Sequence, residues 1–360
     1  VGSEMCIRDR YYINENIKDL YRVKFHDNRE GVLRLDMNEN PGGLPEKVFR
    51  RVMEKITPEY LATYPQKDRL MEAIAKHDAL LYENISVTAG SDEAMWLIFQ
   101  CFAKVGGKVV TVAPTFEMYD VYAKMFGMQH VMVEYHDDFT VDVNDICKEI
   151  DTQTNIVVLL NPNSPIGTVY QDNEIEEIIR KAQEMGAVVV IDEAYYYFYK
   201  KSAISLVKKY DNLMVLRTFS KLFSMAGLRI GYVAGCEQLI SYIENAESTF
   251  NVNNVAILFA LEVIQDSDLE KKLKKKEREG RQWLLKKLEK KEYTCYAGEG
   301  NYILMKPVKP SAEVVAELKE KGIWIRDYKK GVLSGWIRIS TGAKKYMKQF
   351  WEAFLEVERS

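Results

Sequence analysis

The stretch "LRTFSKLFSMAGLRIGYVAG", residues 216–235, sets two cations inside a segment that otherwise reads as interior. Lys221 follows a short apolar run, and Arg229 comes soon after, with apolar or small residues around both. Two explanations compete. The cations cap a helix or snorkel out of the core, or the lysine is a chemical reagent whose reactivity depends on its surroundings.

Moving outward, short Val/Ile/Leu runs recur along the chain. They are "NISVTAG" (84–90), "KVVTVA" (108–113), "MQHVMVEY" (128–135), "TNIVVLLN" (154–161), "GAVVVIDEA" (186–194), "NLMVLRT" (212–218) and "RIGYVAG" (229–235). Helical segments separate them, which predicts an α/β fold with a mostly parallel sheet covered on both faces. After about residue 260, charged helices give way to "NYILMK", "GIWIRDY" and "GWIRIST", the pattern of a smaller α+β domain. The expected organisation is an N-terminal segment 11–44 joining the small domain, a large domain 45–260 and a small C-terminal domain 261–360. Residues 1–10, "VGSEMCIRDR", fit neither: "MCIRDR" back-translates into a sequence resembling a transposon end, so a non-native read-through is expected there, with native sequence from about Tyr11.

The 360 residues, 47% hydrophobic and 29% charged, are enough for one large core and a satellite domain. A net charge of -3 gives no reason to expect a nucleic-acid partner. The densest basic run, "EKKLKKKEREGRQWLLKKLEKKE", interleaves Glu with Lys and carries Leu273, Leu284, Leu285 and Leu288, so it reads as a helix with a solvated face. Cys6, Cys101, Cys147, Cys236 and Cys295 show no CxxC spacing, and His26, His77, His130 and His136 form no ligand cluster, which argues for a reducing cytosol and no metal. No apolar run approaches the ~18 residues of a membrane span. A cytoplasmic protein with no membrane partner is expected.

In open α/β sheets, ligands bind beyond the carboxyl ends of the strands. Four places there hold polar residues. "GSDEAMWLIFQCF" opens a helix with Gly90, Ser91 and Asp92, an arrangement suited to a phosphate but equally an ordinary N-cap. Asp192 follows five apolar residues, so it must meet either a structural partner or a cationic ligand group. Tyr195 follows it closely, in a tyrosine run that could be sheet packing. "LLNPNSPIGTVY" reads as a rigid polar loop or as a plain turn. The last is the opening stretch itself, with Thr218, Ser220, Lys221 and Arg229.

Taken together, "LDMNENPGG", "TYPQ", "AGSDEA", "PTFEMY", "NPNSPIG", "VVVIDEAYYYF", "LRTFSKLFSMAGLRIGY", "NYILMK", "GIWIRDY" and "WIRIST" resemble, in order and separation, the fold-type I enzymes dependent on pyridoxal 5′-phosphate (PLP). The resemblance covers residues 30–355 and is nearest to the histidinol-phosphate aminotransferase branch. It implies the PLP-dependent transferase fold, with a mixed, mostly parallel sheet sandwiched by helices. It makes Lys221 the covalent attachment point of PLP and the proton carrier, Asp192 the partner of the pyridine nitrogen and Tyr195 that of the phenolic oxygen. Ser91, Asp92, Thr218, Ser220 and Arg229 are expected at the phosphate, Phe116 against the ring face, and Tyr64 at the phosphate of a neighbouring subunit, which implies a homodimer with shared sites. Arg338 is expected to receive the substrate's anionic group and Arg326 a second, phosphate group.

The pattern breaks in two places. The family usually has Asn immediately before the Pro of "NPxG", where this chain has Ser164; Asn163 is expected to substitute as the cofactor contact. A "TPY" motif of the branch is missing from the N-terminal segment, where Tyr21 is the nearest tyrosine. The expected activity is ping-pong transamination between an amino donor and a keto acceptor, with L-glutamate and imidazole acetol phosphate the specific pair. Related alternatives on the same scaffold are decarboxylation of threonine phosphate or transamination of another small amino acid or phosphorylated amine. A non-catalytic protein retaining the fold is disfavoured by Lys221, Asp192, Tyr195 and Arg229 occurring together. A dinucleotide enzyme is disfavoured by the lack of GxGxxG in "TAGSDEA".

Overall fold

The computed structural model describes residues 11–20 and 27–359; residues 1–10 and Tyr21 lie outside the described residues. The chain forms strands β1 (Leu33–Arg34), β2 (Ile85–Thr88), β3 (Lys108–Ala113), β4 (Gln129–Glu134), β5 (Thr154–Leu160), β6 (Val188–Asp192), β7 (Leu213–Thr218) and β8 (Gly231–Gly235). All but β1 join one sheet in the order β2-β8-β7-β6-β5-β3-β4. The strands from β7 to β4 are parallel, whereas β8 runs antiparallel to both β2 and β7. Every apolar run read as a strand is one, and the sheet is mixed and mostly parallel. The direction of β8 was not readable, because a strand buried on both faces looks alike in either orientation.

Continuous apolar runs suit this sheet because helices cover it. Helix Asp172–Glu184 buries Ile175, Ile178, Ile179 and Ala182, one stripe at helical spacing. Each such aliphatic side chain stabilises the fold by roughly 1.5–3 kcal/mol when removed from water. The basic run lies in helix Ser267–Lys290, which buries Leu269, Leu273, Leu284 and Leu288 and leaves most of its lysines in solvent.

A second sheet contains β9 (Cys295–Tyr296), β10 (Tyr302–Met305), β12 (Arg326–Asp327) and β13 (Ile337–Ser340), antiparallel in the order β12-β13-β10-β9. Between them in the chain, β11 (Ile323–Trp324) pairs in parallel with β1. Leu33 and Leu35 thereby enter a core with Ile303, Ile339, Phe350 and Phe354, so the N-terminal segment packs with C-terminal elements.

The pleat sorts charges at the strand ends. Successive residues of a strand face opposite ways. Thr218 and Asp192 face the candidate site described below, while Arg217 and Glu193 meet on the other side. Arg217 is 1% exposed; its Nε donates to Glu193 at 2.9 Å, Nη1 to Asp78 at 2.7 Å and Nη2 to Ser202 at 2.7 Å. Two carboxylates around one guanidinium supply the partners that a buried cation requires. Asp78 also takes a hydrogen bond from Tyr232 of β8. This network ties β6, β7 and β8 together beneath the site.

Candidate active site

The strand ends converge on Lys221. Its Nζ donates to the Met37 carbonyl at 3.0 Å and lies 5.6 Å from the centroid of the Tyr195 ring. The residue is half-buried, less enclosed than the sequence suggested.

Asp192, 4% exposed at the end of β6, accepts from Tyr119 Oη at 2.9 Å and from the Ala194 N–H at 3.0 Å. Burial pushes its carboxyl up to about 6, against the lowering effect of those hydrogen bonds and of the Lys221 charge. Among the described residues no cationic side chain forms an ion pair with it. An acid in that condition suits a cationic ligand group, which would compensate its charge.

Tyr195 is 6% exposed and meets Tyr302 edge-on, with ring centroids 5.2 Å apart. Burial alone would raise its phenol, but the charges of Lys221 and Arg338, with hydrogen bonds from Ser164 and Asn38, bring it below the ordinary value. Such a hydroxyl is a strong hydrogen-bond donor.

The elements expected to bind an anion also come together. Helix Gly90–Phe102 begins at Gly90, whose φ of 84° allows the chain to turn straight out of β2. A Cβ at Gly90 would lie 2.7 Å from Arg229 Nη2, so the absence of a side chain is what admits the guanidinium. Arg229 has φ 51° and lines, with Ala89, Asp92 and Tyr122, an open cleft of about 320 Å³. Ser91 lies beside Asp92 in the helix's first turn, and Asp92 is anchored by Tyr122 Oη at 2.7 Å. Thr218 Oγ1 donates to Ser220 Oγ at 2.9 Å, both buried at the end of β7. N–H groups at a helix start, two hydroxyls and an arginine are groups whose chemistry suits a phosphate.

Arg338 and Arg326 are directly opposed across β13 and β12. Like charges so placed repel. Arg326 is half-exposed and donates to Glu117 at 3.1 Å. Arg338 is 9% exposed, donates to Ser164 Oγ at 3.1 Å and to the Asp36 carbonyl, and leaves its Nε without a partner. Among the described residues no carboxylate pairs with Arg338.

Three expected residues remain. Phe116 is 44% exposed, edge-on to Tyr119 at 5.6 Å between ring centroids. Tyr64 is 72% exposed and stacks on Phe250, with centroids 4.4 Å apart, on the surface of the same chain. Asn163 is turned away from Tyr195: its Oδ1 accepts from Thr115 Oγ1 at 2.7 Å and its Nδ2 donates to the Pro114 carbonyl at 2.9 Å. That amide clamps two loops together, and the side chains that do reach the Tyr195 hydroxyl are those of Asn38 and Ser164. Sequence reading missed Asn38, the Met37 carbonyl and Tyr119. Tyr119 and Asn38 lie in "PTFEMY" and "LDMNENPGG", but nothing local marks which polar residue of such a loop turns inward.

PLP fits these groups: the uncompensated acid at Asp192, the side-chain-free cradle at Gly90 and the amine of Lys221 match its ring nitrogen, phosphate and aldehyde. Fold and site define a class of group-transfer enzymes, and the chain belongs to the aminotransferase class I and II family, whose pattern it matches over residues 30–354. Within it, the chain is 35% identical over 319 residues to the histidinol-phosphate aminotransferase of Thermoanaerobacter pseudethanolicus, covering 86% of this chain and 88% of that one. It is 32% identical over 332 residues to the histidinol-phosphate aminotransferase of Pyrococcus furiosus, covering 88% and 92%. The crystal structure of histidinol-phosphate aminotransferase from Sinorhizobium meliloti in complex with PLP shares the fold, with a TM-score of 0.82 at 24% identity over 91% of each chain.

Proposed function

We propose that this chain is a PLP-dependent transaminase that exchanges an amino group between L-glutamate and imidazole acetol phosphate, yielding histidinol phosphate and 2-oxoglutarate. The observation that carries the substrate reading is the opposed pair Arg326 and Arg338, the latter buried without a carboxylate. Two arginines held against their own repulsion suit a substrate with negative charge to spare, and a guanidinium fork matches a carboxylate or phosphate in two places. The two relatives described above, 35% and 32% identical to this chain, are histidinol-phosphate aminotransferases.

Bound PLP supplies an electron sink conjugated to the substrate's α-carbon. The chain's own residues do the rest. Lys221 would hold the cofactor through its amine, and the same amine would carry the proton at the substrate's α-carbon. Asp192 keeps the ring nitrogen protonated, and Tyr195 donates to the ring oxygen. The helix start at Ser91 and Asp92, with Thr218, Ser220 and Arg229, holds the phosphate, and Phe116 covers one ring face. Arg338 takes the carboxylate of glutamate, and Arg326, after exchange with Glu117, joins Arg338 on the phosphate of histidinol phosphate or imidazole acetol phosphate.

The working form is a homodimer. Tyr64, Leu61 and Phe250 are 72%, 61% and 50% exposed, an apolar surface of the kind that marks a contact between chains, which supports a dimer in which Tyr64 serves the neighbouring subunit's phosphate. Among the described residues no helix is long and apolar enough to cross a membrane. Cytoplasmic residence accords with the scattered cysteines.

Two measurements test this reading. Borohydride treatment of the cofactor-loaded protein should leave a pyridoxyl adduct on Lys221 by mass spectrometry, and Lys221→Ala should lose the adduct and more than about 10⁴-fold in turnover. Arg326→Gln should raise KM for histidinol phosphate by about 10-fold or more while leaving that for glutamate within twofold. An unmodified Lys221, or equal effects on both substrates, refutes the corresponding assignment.

A further inference from the structure

Three consecutive residues of the N-terminal segment touch three groups of the site. The Asp36 carbonyl accepts from Arg338 Nη2, the Met37 carbonyl accepts from Lys221 Nζ at 3.0 Å, and Asn38 Nδ2 donates to Tyr195 Oη at 2.8 Å. Asn38 is the most constrained of them. It is 1% exposed and has φ 56°, a left-handed conformation that asparagine tolerates better than most residues. Its N–H donates to Ser340 Oγ at 2.8 Å, its carbonyl accepts from Asn301 Nδ2 at 2.9 Å, and its Oδ1 lies 3.0 Å from Ser340 Oγ. With the oxygen end of the amide turned to Ser340, the NH₂ end faces Tyr195 and, at 3.4 Å, Ser164.

A phenol has one proton to donate and lone pairs to accept with. Where Asn38 donates to Tyr195 Oη, the tyrosine's own proton is left for another acceptor. We propose that Asn38 is a positioning residue: its amide fixes the direction of the Tyr195 O–H, so that the hydroxyl must donate to the ring oxygen of the cofactor. This rests on the cofactor reading given above and adds to it a residue from outside the sheet. The N-terminal segment thereby becomes part of the machinery that tunes the cofactor.

The consequence is spectroscopic. A weaker donor at the ring oxygen leaves more negative charge there, and the neighbouring nitrogen bonded to Lys221 holds its proton to higher pH. The charged or titratable groups around Tyr195 are Lys221, Arg338, Tyr119, Tyr302 and Tyr328, none of which is altered in the test. The experiment is a pH titration of the visible absorbance of the cofactor-loaded protein, comparing wild type with Asn38→Gly, which retains the left-handed backbone, and with Asn38→Leu, which is close in size but can neither donate nor add a charge. Both variants should move the midpoint upward by about half a pH unit or more. The same substitutions in a Tyr195→Phe background should add less than about a third of that shift, because the hydroxyl through which Asn38 acts is gone.

An unchanged midpoint in the Asn38 variants overturns the inference, as does a shift that persists undiminished in the Tyr195→Phe background, which would indicate a merely structural role. If one variant fails to fold, the other carries the comparison. A wild-type protein that binds PLP with a titrating band, together with silent Asn38 variants, removes this inference alone. A wild-type protein with no such band removes the cofactor reading and this inference with it.

Discussion

Replacing Asp192 with asparagine separates the cost of holding a buried charge from its use. Burial raises this carboxyl from 3.8 to about 6. At about 1.4 kcal/mol per pH unit, ionising it inside the cofactor-free protein costs ~3 kcal/mol more than in the unfolded chain. The folded-state value is the higher one, so the stabilisation is fully present below about pH 4 and is lost as pH rises through about 6. Wild-type protein without cofactor should therefore lose up to ~3 kcal/mol across that window from this group alone. Asp192→Asn, nearly isosteric and still able to accept from the Ala194 N–H, should lack that loss. With an unfolding entropy of about 2 cal/mol/K per residue over 360 residues, its cofactor-free form should melt up to about 4 °C above wild type at pH 8. Activity should go the other way. A charge retained at ~3 kcal/mol must be offset by its interaction with the ring nitrogen, so turnover should fall by at least about 10²-fold. Melting curves at pH 4 and pH 8 and single-turnover kinetics after reconstitution supply both readings. An asparagine variant that melts below wild type at pH 8, or turns over within tenfold of it, refutes the reasoning.

Other expectations follow from the cradle and from the ion pairs beneath the sheet. Gly90→Ala places a methyl against Arg229 in a backbone conformation that strains any side chain, so PLP affinity measured by fluorescence titration should fall by about tenfold or more. His77 is raised to about 9, first by its hydrogen bond with Asp78 and then by the Glu270 carboxylate 3.8 Å away. Its contribution is fully present below about pH 6.5 and lost as pH rises through 9; because His77 is exposed and its ion pairs are screened by solvent, denaturant unfolding should show a fall of at most about 2 kcal/mol over that range, absent in His77→Gln.

The sequence showed its strands because a sheet buried on both faces demands continuous aliphatic runs, and "AVVVI" and "VVLL" have no other good use. It marked Asp192 because a carboxylate buried at the end of such a run is costly without a partner, whereas Arg229, read as interior, lies exposed. The buried ion pair of Arg217 with Glu193 and Asp78 escaped notice, since its three members come together only through the pleat and a helix distant in sequence. Asn163 misled for the opposite reason: its neighbour Ser164 faces the site, and adjacent residues of a loop differ in direction with no periodicity to reveal it. Asn38 sits among polar residues in a segment without regular structure, so only its distant partners Tyr195, Ser340 and Asn301 identify it.

The antiparallel placement of β8 has one more effect. Thr218 and Gly231 are register partners, so the excursion from 219 to 230 leaves and returns at one point of the sheet. Lys221 and Arg229 thus ride on a closed clasp whose two feet are pinned together, and their spacing does not depend on how far the outer loops wander. Added length should be tolerated at the rim of this molecule, but a single residue inserted into the clasp would pull Lys221 and Arg229 out of step with each other.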